Sequence, residues 1–312
     1  MSDNITDQLE KRLGRIHARQ RLGIENDNEQ RVFGGGLNFF HIENWYSVHS
    51  FIRISLQLTG LYWRGRRNAA RIEIRHNDVG LSGLPEAFRG YTILQISDLH
   101  VDTNEDAVHR LIEILRDLDY DACVLTGDYR GKTYGPIDET LDGMARVRTY
   151  LKDPIYGVLG NHDTIRMLPG LEDMGIRMLL NESVRVERQG SCIHFSGIDD
   201  AHYYRVDNME KAASGVPQEE ISILLSHTPE IYRHAAHSNF DLLLGGHTHG
   251  GQICLPGGFP ITLDASLPRH MGSGPWQYQG MSGYTSVGIG TSVVTVRLNC
   301  LPEITLHHLY PR

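Results

Sequence analysis

Eight side chains able to ligate a metal or move a proton recur in one pattern: Asp98, His100, Asp128, Asn161, His162, His227, His247 and His249. Each group follows an apolar run that stops at a small residue. Ser97-Asp98-Leu99-His100 ends one run, Gly127-Asp128 a second and Gly160-Asn161-His162-Asp163 a third. Ser226-His227 ends a fourth, and Gly245-Gly246-His247-Thr248-His249-Gly250 a fifth. Any one of these is an ordinary turn sequence, because Gly, Asn, Asp and Ser favour turns. Repeated in succession, each after a hydrophobic run, they describe a single site at the carboxyl ends of strands, where ligands gather in open α/β sheets. Carboxylate, imidazole and amide-oxygen donors suit first-row dications such as Mn²⁺, Fe²⁺ or Zn²⁺. They exceed what one ion needs, and two ions share them if one carboxylate bridges. Asp98 with His100, and His247 with His249, stand at i and i+2. At an extended strand end that spacing projects both ligands to one side, with Leu99 and Thr248 turned away.

The elements that must position these residues follow from the periodicity. Strands are expected at 71–76, Tyr91–Ser97, Asp121–Thr126, Pro154–Leu159, Ile176–Leu180, Ile221–Ser226 and Asp241–Leu244. A hairpin joins Val184–Glu187 to Cys192–Ser196 around Gln189-Gly190. Helices are expected at Asp106–Leu118, with Val108, Leu111, Ile112 and Leu115 on one face, and at Ile137–Leu151, Met167–Met174, Asp207–Ala213 and Glu230–His237. A Gly- and Pro-rich loop covers 246–282, and Ser286–Gly290, Val293–Leu298 and Glu303–Leu309 read as closing strands. Strands alternate with helices early and pair directly late. The fold class is α/β (α+β), with mixed sheets and helices outside.

Composition narrows the function classes. With 312 residues, 40% hydrophobic and 22% charged, the chain is long and apolar enough for a packed core. The net charge of -8 is uneven: residues 1–90 carry 13 basic against 10 acidic side chains, the rest 17 against 28. An acidic main domain argues against nucleic acid as a partner. Cys123, Cys192, Cys254 and Cys300 are far apart, with no Cys-x-x-Cys pair, so buried free thiols in a reducing compartment are expected. No apolar signal region precedes residue 30 and no apolar run reaches 18 residues, so a cytoplasmic location is expected, with the inner-membrane surface as an option.

Two domains are expected: an N-terminal extension over 1–84 and a main domain over 85–312. Leu9, Leu13, Ile16 and His17 recur at helical spacing, so a short exposed helix is expected before the Gly34-Gly35-Gly36 break. Residues 39–75 place Phe39, Phe40, Ile42, Trp45, Tyr46, Phe51 and Trp63 beside Arg64, Arg66, Arg67, Arg71 and Arg75. Aromatics next to arginines mark a peripheral membrane contact or a partner-docking arm. The other reading is an arm packed on the main domain. Ile52, Ile54, Leu56 and Leu58 alternate as in a strand, whereas Ile42, Trp45, Tyr46 and His49 fit a helix.

The set Asp-x-His, Gly-Asp, Gly-Asn-His-Asp, His, Gly-His-x-His resembles the calcineurin-like metallophosphoesterase superfamily over residues 90–310. The resemblance implies a four-layer sandwich of two mixed β-sheets flanked by helices, a phosphate-ester substrate and two divalent metal ions (Mn, Fe or Zn). It implies that Asp98, His100 and His249 hold one metal, that Asn161, His227 and His247 hold the other, and that Asp128 bridges. His162 becomes the catalytic histidine, with Asp163 orienting it, and a metal-bridging hydroxide attacks phosphorus in line. Gly127-Asp128-Tyr129-Arg130 departs from the superfamily's usual Gly-Asp-x-x-Asp/Asn. Arg130 either touches a substrate phosphate or is a plain surface arginine. Gly246–Ile253, Gly197-Ile198-Asp199-Asp200 and Arg297–Ile304 resemble a bacterial branch. That branch includes phosphodiesterases and UDP-2,3-diacylglucosamine hydrolases of lipid A synthesis, and its members are usually tethered by an N-terminal helix. This chain shows the 39–75 segment in that place. Asp199, Asp200 and His202 either line the substrate pocket or form an ordinary polar loop, and Trp276, Tyr278 and Tyr284 either select substrate or cap the sheet. Some members are non-catalytic metal-binding scaffolds, but this chain keeps every ligand and the histidine.

Overall fold

In the computed structural model, residues 2–33 and 46–312 are described. The Gly34–Gly36 break and Phe39, Phe40, Ile42 and Trp45 lie outside them. The helices are α1 (Ser2–Leu13), α2 (Arg15–Phe33), α3 (Tyr46–Leu58), α4 (Leu61–Asn68), α5 (Glu105–Leu115), α6 (Asp138–Arg148), α7 (Leu168–Asp173), α8 (Met209–Ala213) and α9 (Tyr232–His237). The strands are β1 (Glu73–Leu81), β2 (Thr92–Ile96), β3 (Ala122–Thr126), β4 (Ile155–Val158), β5 (Arg177–Met178), β6 (Glu182–Arg188) and β7 (Ser191–Gly197). Then come β8 (Ser222–Leu225), β9 (Leu242–Gly245), β10 (Cys254–Leu255), β11 (Phe259–Pro260), β12 (Gly274–Tyr278), β13 (Met281–Thr285) and β14 (Glu303–Pro311).

Two six-stranded mixed sheets form, in the orders β1-β14-β2-β3-β4-β5 and β12-β13-β9-β8-β7-β6. Strand parity sets the layers. Ile93, Val124 and Val158 of the first sheet meet Ile223, Leu225, Leu242 and Leu244 of the second in one buried cluster between the sheets. The alternate residues Leu94, Ile96, Cys123 and Leu125 face outward into a second cluster with Val108 and Leu111 of α5, Met144 of α6 and Leu171 of α7. Leu224 and Leu243 face the other way, onto Ala212 of α8, Ala235 of α9 and Trp276 of β12. Strands buried on both faces explain why the sequence shows continuous apolar runs there. The four-layer sandwich implied by the resemblance is the observed architecture.

Several local expectations are overturned. The N-terminal segment forms two helices, α1 and α2, and is not exposed: Leu9, Leu13, Ala18 and Leu22 are buried in the α5–α7 cluster, while Ile16 is 80% exposed. Residues 46–58, which the pattern left open between strand and helix, form a helix. Ile52 and Leu56, one turn apart, pack toward Val296 and Leu298, and Ile54 and Leu58 face out, so two helical faces produce the alternation. The 246–282 loop contains the β10–β11 hairpin and β12. Ser286–Gly290 and Val293–Leu298 are not strands; three carbonyls of the first segment are taken by a buried side chain, Arg297, instead of a ladder. Its guanidinium donates to Val287 O (2.7 Å), Gly288 O (3.1 Å) and Gly290 O (2.7 Å). The four cysteines are free thiols, three of them buried.

Candidate metal centre

The parallel strands β2, β3, β4, β8 and β9 all point to one end of the sandwich, and the eight singled-out residues follow them. The local geometry differs from an extended strand end. Asp98, His100, Asp128, His247 and His249 all have positive φ, between 42° and 71°. Non-glycine residues seldom enter this left-handed region, and strain of this kind concentrates at functional sites. The i, i+2 pairs therefore converge through tight left-handed turns rather than through pleating.

Two buried groups of ligand atoms result, each with its atoms within 4.8 Å of one another: Asp98, His100 and His249, and Asp98, Asp128 and His227. Asp128 Oδ2 lies 3.6 Å from His100 Nε2, 3.3 Å from His227 Nε2 and 4.0 Å from His162 Nε2. Asn161 Oδ1 is 2.9 Å from His227 Nε2, and the His247 ring stands 5.1 Å from that of His227. The Asp98 carboxylate is 3.6 Å from His249 Nε2 and accepts from the His247 backbone N–H at 3.1 Å.

The electrostatics fit cations. Two buried carboxylates side by side, and a His100 ring whose nitrogens make no hydrogen bond, are costly unless a charge is placed between them. Without an ion, burial and the Asp128 charge push the Asp98 carboxyl up. Burial disfavours the His227 cation, but Asp128 and Asp98 more than offset this and hold the imidazole at about 10. Burial, His100 and Arg297 hold His249 well below the usual imidazole range, in the neutral form a metal needs.

Around this centre the remaining residues take distinct places. His162 Nδ1 is 2.7 Å from Thr133 Oγ1. The Asp163 carboxylate, expected to orient His162, is engaged by backbone N–H groups: Asp128 and Gly160 at 2.8 Å, Tyr129 at 2.9 Å and Arg130 at 3.4 Å. It thus ties the Gly127-Asp128 turn to the Gly160–Asp163 turn. Burial, then Asp128, push it up to about 6. Arg130 is buried rather than a surface arginine; its Nε donates to Lys132 O, and its Nη2 has no hydrogen-bond partner. The His202 ring lies tilted, its centroid 4.2 Å from that of His247, and bonds Glu230 at 2.6 Å. Asp200 accepts from the backbone of His202, Tyr203 and Tyr204, shaping its own loop. Trp276 is buried against Thr285, and Tyr284 bonds Glu303 between the sheets.

Sequence reading missed Thr133, Glu230 and the role of Arg297, which backs His249 with Nη2 3.3 Å from its Nδ1. Arg297 left a signal, a lone arginine in the apolar run 293–298; Thr133 and Glu230 left none. The family model for calcineurin-like phosphoesterases matches residues 91–251. An uncharacterized metallophosphoesterase of Bacillus subtilis, YkoQ, is 29% identical over 79% of this chain and 94% of its own length. One from Aquifex aeolicus is 30% identical over 69% and 83%. A Danio rerio transmembrane protein with a metallophosphoesterase domain is 28% identical over 73% of this chain but 55% of its own. With the candidate ligands already gathered at one end of a two-sheet sandwich, these matches mean that the chain belongs to the calcineurin-like phosphoesterase family and is a metal-dependent phosphoester hydrolase.

Proposed function

We propose that the chain is a dinuclear phosphoesterase acting on a phosphodiester or a pyrophosphate. Asp98, His100 and His249 would hold one divalent ion, Asn161, His227 and His247 the other, and Asp128 would bridge. The observation that carries this reading is the Asp128 carboxylate, whose Oδ2 stands within 3.6 Å of imidazoles from both proposed sets. When bound, the ions supply an activated water and neutralise the phosphoryl oxygens. In the tautomer in which Thr133 donates to His162 Nδ1, the ring proton sits on Nε2, 4.0 Å from Asp128 Oδ2. His162 then delivers that proton to the leaving oxygen. Arg130, with a buried guanidinium nitrogen outside any hydrogen bond, suits a non-bridging phosphate oxygen, and His202 stands beside His247. Residues 85–312 carry this chemistry.

The test combines metal analysis with a substrate panel of monoesters, diesters, nucleoside diphosphate sugars and UDP-2,3-diacylglucosamine. His162→Ala is expected to keep its metal and lose on the order of 100-fold or more in turnover. Asp128→Ala is expected to lose metal as well. Wild-type turnover by His162→Ala would remove the proton-donor assignment.

A second reading, of where the enzyme works, is favoured by α3 and α4. Phe51, Ile54 and Leu58 are 71%, 54% and 83% exposed at i, i+3, i+7 spacing, and Trp63 is 67% exposed. Residues 46–72 hold Arg53, Arg64, Arg66, Arg67 and Arg71 and no acid. No helix among the described residues is long and apolar enough to cross a membrane. We propose that this face docks on an anionic lipid surface. Co-sedimentation with phosphatidylcholine vesicles should be weak and should rise when phosphatidylglycerol is added. It should fall again for Phe51→Ser/Leu58→Ser/Trp63→Ser. Equal, negligible binding throughout would sink the idea.

A further inference from the structure

The N-terminal helix α2 presents a polar face to the centre's loops, not an apolar one. His17, Arg21 and Glu25 recur every four residues, so they line one side of the helix. Arg21 is fully buried and Glu25 is 5% exposed. The Arg21 guanidinium donates from Nη2 at 2.8 Å to the carbonyl of Asp163, the residue that follows His162. Its Nε donates to Glu25 Oε1 at 3.0 Å, its Nη1 lies 3.7 Å from Asp199 Oδ1, and its plane covers the Tyr204 ring at 3.4 Å. Glu25 in turn accepts from the Ile165 backbone N–H at 2.7 Å, the Thr164 hydroxyl at 2.6 Å and Arg166 at 3.1 Å. His17 Nε2 is 2.8 Å from Asp199 Oδ2.

One helix face therefore grips two loops from opposite sheets: 161–166 after β4, and 199–204 after β7. The second loop meets the 129–134 segment through Tyr203 and Tyr134, whose hydroxyls are 2.7 Å apart. That segment carries Thr133, the partner of His162 Nδ1. A buried charge network seldom stabilises a fold more than apolar packing of equal volume would; what it fixes is geometry. The geometry fixed here is the backbone of the turn that carries the proton donor, held at Asp163, Thr164 and Ile165.

We infer that Arg21, braced by Glu25 and Asp199, is a positioning residue for His162, so that the N-terminal helix completes the site. This rests on the assignment of His162 as proton donor to the leaving oxygen. A slack donor harms poor leaving groups most, because good ones depart without a proton. The experiment measures kcat, KM and bound metal for full-length protein on a series of bis-aryl phosphates from p-nitrophenyl to phenyl. Arg21→Met is expected to lose roughly tenfold in kcat on the p-nitrophenyl ester and on the order of 100-fold on the phenyl ester, with KM and metal content unchanged. Arg21→Lys should recover part of the loss. Glu25→Gln, a milder change, should show the same slope against leaving group and carries the test if Arg21→Met fails to fold. Equal losses on all esters, or losses that follow metal content, would mean general loosening and overturn the inference. A steep series for His162→Ala beside flat Arg21 and Glu25 series would overturn only the bracing. A flat series for His162→Ala would overturn the proton-donor reading and this inference with it.

Discussion

Gly160 illustrates how one residue type is required for a reason other than the one its sequence context suggests. Following a strand and preceding Asn161-His162, it reads as a glycine that permits a sharp left-handed turn, yet it is absent from the residues with positive φ. What it provides is space. A Cβ there would lie 2.6 Å from the Asp128 backbone nitrogen and closer still to the Asp128 carboxylate. Gly160→Ala is therefore expected to push the central carboxylate away from His100 and His227. Overpacking of this kind costs about 1–3 kcal/mol, but the sharper consequence is chemical. The variant should fold and bind markedly less Mn²⁺ on equilibrium dialysis, with activity falling in proportion. Wild-type metal content would show that the 127–128 turn yields without disturbing the site. The ligands themselves were legible in sequence because they follow apolar runs in a repeated pattern. The left-handed backbone at Asp98, His100, Asp128, His247 and His249 was not, because Asp and His do not announce positive φ as Gly does.

Among the elements, those buried on both faces or carrying one clear apolar stripe could be read directly. β8 and β9 are continuous apolar runs between two layers, and α5 buries Val108, Leu111 and Leu115 on one side. The failures share a physical cause: tertiary partners supplied what a local pattern could not show. Residues 286–298 are apolar enough for two strands. Gly290 N–H, however, bonds to Asp98 O at 2.6 Å and Ile289 N–H to Ser97 O at 3.0 Å, which ties this loop to the first ligand turn. Arg297 then saturates the carbonyls that a neighbouring strand would have used. Helix α3 misled for a related reason. It packs one apolar face on Val296 and Leu298 and leaves a second apolar face outward beside Arg53 and Gln57, so two apolar faces obscure the helical period. Helix α2 is the converse: besides Ala18 and Leu22 in the apolar cluster, the face it turns to the centre's loops is built from charge, and no hydrophobic periodicity could have revealed that contact.

At the scale of the whole molecule, the two sheets are joined by a polar strip as well as an apolar core, and His307 is one of its titratable members beside Glu303. Its ring is fully buried. Nε2 lies 2.9 Å from Gln95 Oε1, and Nδ1 lies 3.0 Å from Asn77 Nδ2. Gln95 passes the contact across the sandwich by donating to Gly245 O at 2.9 Å, and the Tyr284 ring stands edge-on 4.8 Å from the imidazole. With Asn77 donating to Nδ1 and Nε2 donating to Gln95, both nitrogens are used by the neutral ring and the cation has no place. Burial, then His308, push His307 down to about 3. The unfolded chain takes up its proton near pH 6.5, so between pH 6.5 and pH 3 the unfolded state binds more protons than the folded one. Stability therefore rises with pH across that window and is lost as pH falls through it, by at most about 1.4 kcal/mol per pH unit from this group. His307→Gln keeps an amide donor and acceptor between the sheets but cannot titrate. Urea unfolding of both proteins with a chelator present, so that metal release is common to both, should give a shallower fall between pH 6.5 and pH 4 for the variant. Identical slopes would mean that His307 reaches water before the sheets separate. The acid sensitivity would then belong to other titratable groups, among them the carboxylates of Asp199 and Glu230.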